Sequence, residues 1–173
     1  RDARDVVPGA YLRRIPEAAA LAAKRAHPKA LILCMTCVDA LLGTDIDRVA
    51  REAERACGVP VTGCFMDPIA RESKNAPMVS VQQAVMRFLL PAKTDPGQVN
   101  LLGNFAPLEA ESELPRLLKQ AGISRIGQLS ACRSFAEYQA LARARLNVVV
   151  HPQAAASAKD LERRLGIPFV EIS

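Results

Sequence analysis

Apolar positions at Ile15, Ala18, Ala19, Ala22 and Ala26 recur at helical spacing, which predicts an amphipathic helix with Pro16 in its first turn and Pro28 beyond its end. Residues 29–33 then form a short apolar run, read as a strand. A second helical stripe follows at Ile46, Val49, Ala50, Ala53 and Cys57, with Asp47, Arg48, Arg51, Glu52, Glu54 and Arg55 facing water. Thr44 is its expected cap, with Asp47 three residues on, and Gly58 with Pro60 its expected stop. Residues 59–64 read as a strand, 65–77 as a long polar loop and 79–90 as a helix. The pattern breaks at 91–96 and restarts. Strands are expected at 98–102, 123–129, 146–150 and 167–172. Helices are expected at 113–121, from the Ser134/Glu137 capping box to about Arg143, and at 154–165 with a stop at Gly166.

Short, continuous apolar strands alternating with helices imply parallel sheets covered on both faces. The fold class is therefore α/β, as two Rossmann-like units. The first, residues 1–92, is expected to be incomplete, because its two strands make a thin sheet; the second spans 97–173.

Composition narrows the possibilities. Five cysteines, without the spacing of a small disulfide scaffold, suit a reducing compartment, and a cytoplasmic location is expected. Net charge is +5, but the basic residues are interleaved with acidic ones, aromatics are few and Trp is absent, so nucleic acid is not expected as a partner. No apolar run is long enough to span a membrane and no signal peptide opens the chain. The first residue is Arg1 rather than Met, which fits a piece of a longer subunit.

Residues 31–46 organise the chain, because there a buried strand, a turn with two thiols and a capped helix follow one another. Cys34 and Cys37 form a C-x-x-C pair. A redox pair of the thioredoxin kind needs its first thiol at a helix N-terminus, whereas the expected helix starts downstream at Thr44. A zinc knuckle needs a second ligand pair, which neither Cys57 and Cys64 nor a histidine supplies. Cys34 is therefore read as a packed thiol finishing the strand. Cys37 lies beyond the strand, at the carboxyl edge where α/β proteins place ligands. Cys57 and Cys64 are expected to be packed thiols; Cys132, in a polar turn, can be exposed and is assigned no role. His151 follows a strand and could ligate a metal or shuttle protons, or serve as a hydrogen-bonded structural group. His27 reads as a helix cap. Gly103-Asn104-Phe105 permits close backbone approach but is no dinucleotide fingerprint, and no Walker A, G-x-S-x-G or H-E-x-x-H sequence occurs.

Thr36-Cys37 followed by Gly43-x-Asp45-Ile46 resembles the strand–Cys–(x5)–Gly–Asp–Asp–Ile segment of the nitrogenase component 1-type oxidoreductase superfamily, with Thr44 in place of the first Asp. Asp5-Val6-Val7-x-Gly9, Val99-Asn100-Leu101-Leu102-Gly103, Leu146-Asn147-Val148-Val149 and Gly166-Ile167-Pro168 resemble further segments of it. The resemblance implies the middle of a longer subunit. It implies Cys37 as a metal ligand, holding an iron–sulfur cluster at a subunit interface, with companion cysteines upstream or on a homologous partner subunit. It also implies an ATP-dependent iron–sulfur reductase as electron donor. Relatives reduce an inert substrate or serve as scaffolds on which the metal cofactor is assembled. In the molybdenum–iron catalytic subunit a cofactor-binding cysteine falls about where His151 stands, which makes His151 a candidate cofactor-binding residue. Its being His points away from a genuine α-type subunit. The leading expectation is a fragment of a nitrogenase-like reductase subunit. The alternatives are a cofactor-assembly scaffold or β-type partner, and an unrelated α/β ligand-binding domain.

Overall fold

The computed structural model describes residues 11–66, 76–104, 106–109 and 112–172. Most of the expected loop at 65–77, and the Asp5 to Gly9 segment, lie outside the described residues. The chain divides between Phe88 and Leu89 into two compact units.

In the first unit a turn at Tyr11–Arg13 leads into α1 (Arg14–Ala26). This helix ends where His27 turns left-handed (φ 47°) and donates its N–H to the Ala23 carbonyl at 3.0 Å. β1 (Leu31–Met35) and β2 (Val61–Phe65) pair in parallel, with Leu31 opposite Val61 and Cys34 opposite Cys64. Between them lie a short helix, α2 (Cys37–Leu41), and a longer one, α3 (Ile46–Cys57). The predicted stripe of α3 is the buried one, at Val49, Ala50 and Ala53. α3 packs on α1 and β2, and α4 (Pro77–Met86) also packs on β2. The helices thus cover β2, while β1 leaves Ile32 and Cys34 exposed. Parallel strands covered by helices are the expected architecture, with β1 the less covered of the two.

The cap of α3 also differs from expectation. Asp45, not Thr44, accepts the N–H of Arg48, at 2.9 Å through Oδ1. A carboxylate at the N-cap is at least as good an acceptor as a hydroxyl, and it adds favourable charge at the helix start. The Thr44 hydroxyl is instead 3.3 Å from that of Tyr11.

The second unit contains β3 (Asp95–Leu102), α5 (Glu113–Gln120), β4 (Arg125–Gln128), α6 (Phe135–Ala140), β5 (Ala144–Val149), α7 (Ala155–Leu165) and β6 (Phe169–Glu171). The strands lie in the order β4-β3-β5-β6, all parallel. β3 starts inside the stretch where the pattern breaks, at Asp95, which already pairs with Ala144. Val99 and Leu101 on β3 pack with Ile123 and Val148 in the core.

The other side of β3 is polar and buried. Asn100 Nδ2 donates to the Leu141 carbonyl and to Asn147 Oδ1, both at 2.9 Å. Gln98 Nε2 donates to the Ala140 carbonyl at 2.9 Å and to Asn100 Oδ1 at 3.3 Å. These carboxamides tie β3 to β5 and to the chain leaving α6. Gly127 on β4 leaves room for them: a Cβ there would collide with Asn100 Oδ1.

α7 carries an ion-pair cluster. Arg164 Nε and Arg163 Nη2 each donate to Asp160 at 2.7 Å. Partial burial alone would raise the Asp160 pKa, but the bonds and charges of Arg164 and Arg163 outweigh it and hold the carboxyl below its usual value. A lowered folded-state pKa stabilises above the ordinary carboxylate range and ceases to do so as pH falls through the folded value. Asp160→Asn should therefore cost about 0.5–1 kcal/mol at neutral pH, a value kept small by the exposure of Arg163. In thermal melts the gap from the parent should shrink as pH falls below about 4.

Candidate functional site

Cys37 lies two residues past the last residue of β1, at the carboxyl edge of the sheet. It is not in a loop, as the spacing to Thr44 suggested, but is the first residue of α2. Thr36 and Asp39 fix that helix start: Asp39 Oδ2 accepts the Thr36 N–H at 2.8 Å and the Thr36 hydroxyl at 3.0 Å. Asp39 is fully buried (0 % exposed), while Thr36 lies at the surface. The signal was present in the sequence, since Thr36-x-x-Asp39 is a capping-box spacing. The helix ends after one turn and a half at Gly43, whose φ is +64°. It presents Leu41 (82 % exposed), Leu42 (51 %) and Val38 (42 %) to solvent. Cys37 is itself partly exposed. It is a positioned, reachable thiol beside an apolar surface.

The other cysteines divide differently from expectation. Cys64 is buried, as expected, but Cys34 is exposed rather than packed. Its strand is the less covered one. Cys57 is half-buried at the end of α3, its thiol 3.5 Å from the Val59 carbonyl. Cys132 is also half-buried and donates to the Gln128 carbonyl at 3.3 Å. Burial, then the nearby Glu137 charge, push the Cys132 thiol pKa up.

In the second unit the chain goes from β3 outward to β4, then returns across β3 to β5. The carboxyl ends of β3 and β5 therefore flank a topological switch point, the usual place for a ligand on an open α/β sheet. Gly103 and His151 stand there. Gly103 has φ +105°, and a Cβ on it would lie 2.7 Å from the His151 Cβ and 3.0 Å from the His151 nitrogen. His151 Nδ1 accepts the Gln153 N–H at 3.3 Å, opening the turn Pro152–Ala154. That bond puts the proton of a neutral ring on Nε2, and ligation through Nδ1 would break it. Gly103→Ala should cost about 1–3 kcal/mol through backbone strain and the collision with His151, read as a lower urea midpoint.

Cys37 belongs to the first unit and His151 to the second. Among the described residues no three His, Cys, Asp or Glu side chains converge as a metal-binding group. Cys37 therefore stands as a single thiol, and the described residues do not form a complete ligand set around it. A cavity of about 630 Å³ lies elsewhere, between α5 and β4, beside Arg116, Lys119, Ile126 and Gln128. It holds none of the candidate residues. No helix among the described residues is long and apolar enough to cross a membrane.

These features define an α/β protein with parallel sheets, a cysteine at one carboxyl edge and a switch point at another. Residues 2–173 match the model of the nitrogenase component 1 type oxidoreductase family, and the chain belongs to that family. It is 32 % identical over 156 residues to the nitrogenase iron-molybdenum cofactor biosynthesis protein NifE of Nostoc sp., covering 87 % of this chain and 32 % of that protein. It is 30 % identical to NifE of Klebsiella pneumoniae, covering 97 % of this chain and 40 % of that protein. It is 25 % identical to the nitrogenase molybdenum-iron protein alpha chain of Methanosarcina barkeri, covering 85 % and 29 %. The solved structure of nitrogenase Cp1 at pH 6.5 superposes with a TM-score of 0.73 at 23 % identity, over 99 % of this chain and 34 % of that one, and so shares the fold. The chain spans roughly a third of the length of these relatives.

Proposed function

We propose that this chain is part of a cofactor-assembly subunit, a cytoplasmic scaffold on which an iron–sulfur-based metal cofactor is built, with Cys37 as one thiolate ligand at the contact with a homologous partner subunit. The placement of Cys37 carries the reading. It is fixed at the carboxyl edge of β1 by the Thr36–Asp39 lock, open to solvent, and adjoins the exposed apolar residues Val38, Leu41 and Leu42. A thiolate must be reachable to hold iron, and an apolar rim beside it suits a partner that completes the shell. The scaffold role is favoured over catalysis by the similarity to the two NifE proteins.

The test is anaerobic iron and acid-labile sulfide analysis with electron paramagnetic resonance, on the protein purified with its homologous partner subunit. Cys37→Ala should retain iron about tenfold less tightly or worse, since the loss of even an outer-shell partner costs 10–100-fold. Equal iron in both proteins would remove Cys37 from the ligand set.

The second reading is multi-electron reduction of a small substrate, with electrons from an ATP-dependent iron–sulfur reductase. The similarity to the Methanosarcina barkeri alpha chain favours it. Turnover of the assembled complex with that reductase separates the two readings: a scaffold hands its cofactor on and does not turn over.

A further inference from the structure

We propose that Cys34 and Cys64 form an oxidation site, a dithiol that low-molecular-weight disulfides convert to a bridge between β1 and β2. The proposal is independent of the cofactor-assembly reading and of Cys37. Its basis is geometric. Cys34 and Cys64 are direct register partners on neighbouring parallel strands. Adjacent strands lie about 4.8 Å apart, and paired residues send their side chains to the same face. That separation falls within the range of about 4.4–6.8 Å between Cα atoms that a disulfide spans. The sulfurs are already 3.7 Å apart, with the Cys64 thiol donating to Cys34.

The two thiols are also unequal in the way exchange chemistry requires. Cys34 is exposed and Cys64 is buried. Burial, then the hydrogen bond and charge of Cys34, raise the Cys64 pKa to about 11, so Cys64 keeps its proton at neutral pH. Cys34 is the attacking group and Cys64 the resolving one. The Cys34 thiolate attacks one sulfur of a small disulfide such as oxidised glutathione. This forms a mixed disulfide on Cys34 and releases one glutathione thiolate. Cys64 then attacks the Cys34 sulfur, gives up its proton and displaces the second glutathione as a thiol. Two electrons pass from the protein to the small disulfide, which leaves as two thiols. The bridge joins residues 30 positions apart in the chain. It fastens the carboxyl end of β1, three residues before Cys37, to β2.

The experiment is incubation of the protein in oxidised and reduced glutathione at graded ratios, followed by acid quench, alkylation of free thiols, tryptic digestion and mass spectrometry. Trypsin places Cys34 and Cys37 in the peptide 30–48, and Cys57 and Cys64 in the peptide 56–71. The expected product is these two peptides joined, lighter by two hydrogens than their sum, with fragmentation placing the bond between Cys34 and Cys64. In Cys64→Ser the glutathione adduct should persist on Cys34 instead of resolving. In Cys37→Ser the bridge should form as in the parent. A bond through Cys37 or Cys57, or a Cys34 that stays alkylatable at every ratio, overturns the proposal. The peptide map of the unsubstituted protein decides between these outcomes even if Cys64→Ser does not fold.

Discussion

Gly127→Val is expected to destabilise the second unit by about 3 kcal/mol or more, the upper range for overpacking a closed core. β4 pairs with β3 in parallel, with Gly127 opposite Asn100. A Cβ at Gly127 would collide with Asn100 Oδ1 and lie 2.8 Å from Leu141 Cδ2. Neither neighbour can move cheaply. The Asn100 carboxamide is held by the Leu141 carbonyl and Asn147, and Leu141 itself is buried (4 % exposed). The larger Val side chain must therefore break hydrogen bonds as well as crowd apolar contacts. Urea unfolding followed by circular dichroism reads the effect as a lower midpoint. A midpoint equal to the parent's would mean that the carboxamides do not occupy the space above β4.

Asn100→Leu is expected to cost about 3 kcal/mol, although it makes a buried position more hydrophobic at similar volume. Asn100 is 1 % exposed. Its removal strips the Leu141 carbonyl and Asn147 Oδ1 of a donor. Each buried polar group left without a partner costs about 1–3 kcal/mol, which exceeds what the added apolar area returns. Gln98 keeps its bond to the Ala140 carbonyl, so the network is damaged rather than abolished. The two sites should couple. Asn100→Ala clears the space above Gly127, so Asn100→Ala with Gly127→Ala should cost less than the two single changes summed. Strict additivity in that cycle would separate the strand packing from the carboxamide network.

The parts of the fold legible in the sequence are those set by local chemistry. The stripe at Val49, Ala50 and Ala53 is buried, and Gly58 and Gly166 end their helices in the left-handed conformation. Ser134 caps α6 by accepting the Glu137 N–H at 3.1 Å, as the spacing predicted. The Glu137 carboxylate reaches back to the Arg133 N–H at 2.6 Å, one residue before the cap. α2 was missed because five residues are too few to show a helical period, although the Thr36–Asp39 spacing marked its start. Strand bounds moved by a residue or more, to Leu31–Met35 and Val61–Phe65 among others, because pairing with a neighbour and not the apolar run decides where a strand begins.

By itself the sequence determined the alternation of helices and strands, the α/β class and the family motif around Cys37, because periodicity, caps and short spacings act within a few residues along the chain. Only the tertiary structure decided which side of each strand is covered. It left Cys34 exposed beside the buried Cys64, brought Gly103 against His151, and laid three carboxamides between β3, β5 and the end of α6. Those outcomes depend on the register and order of strands separated by tens of residues, and no local pattern encodes which residues will meet once the sheets assemble.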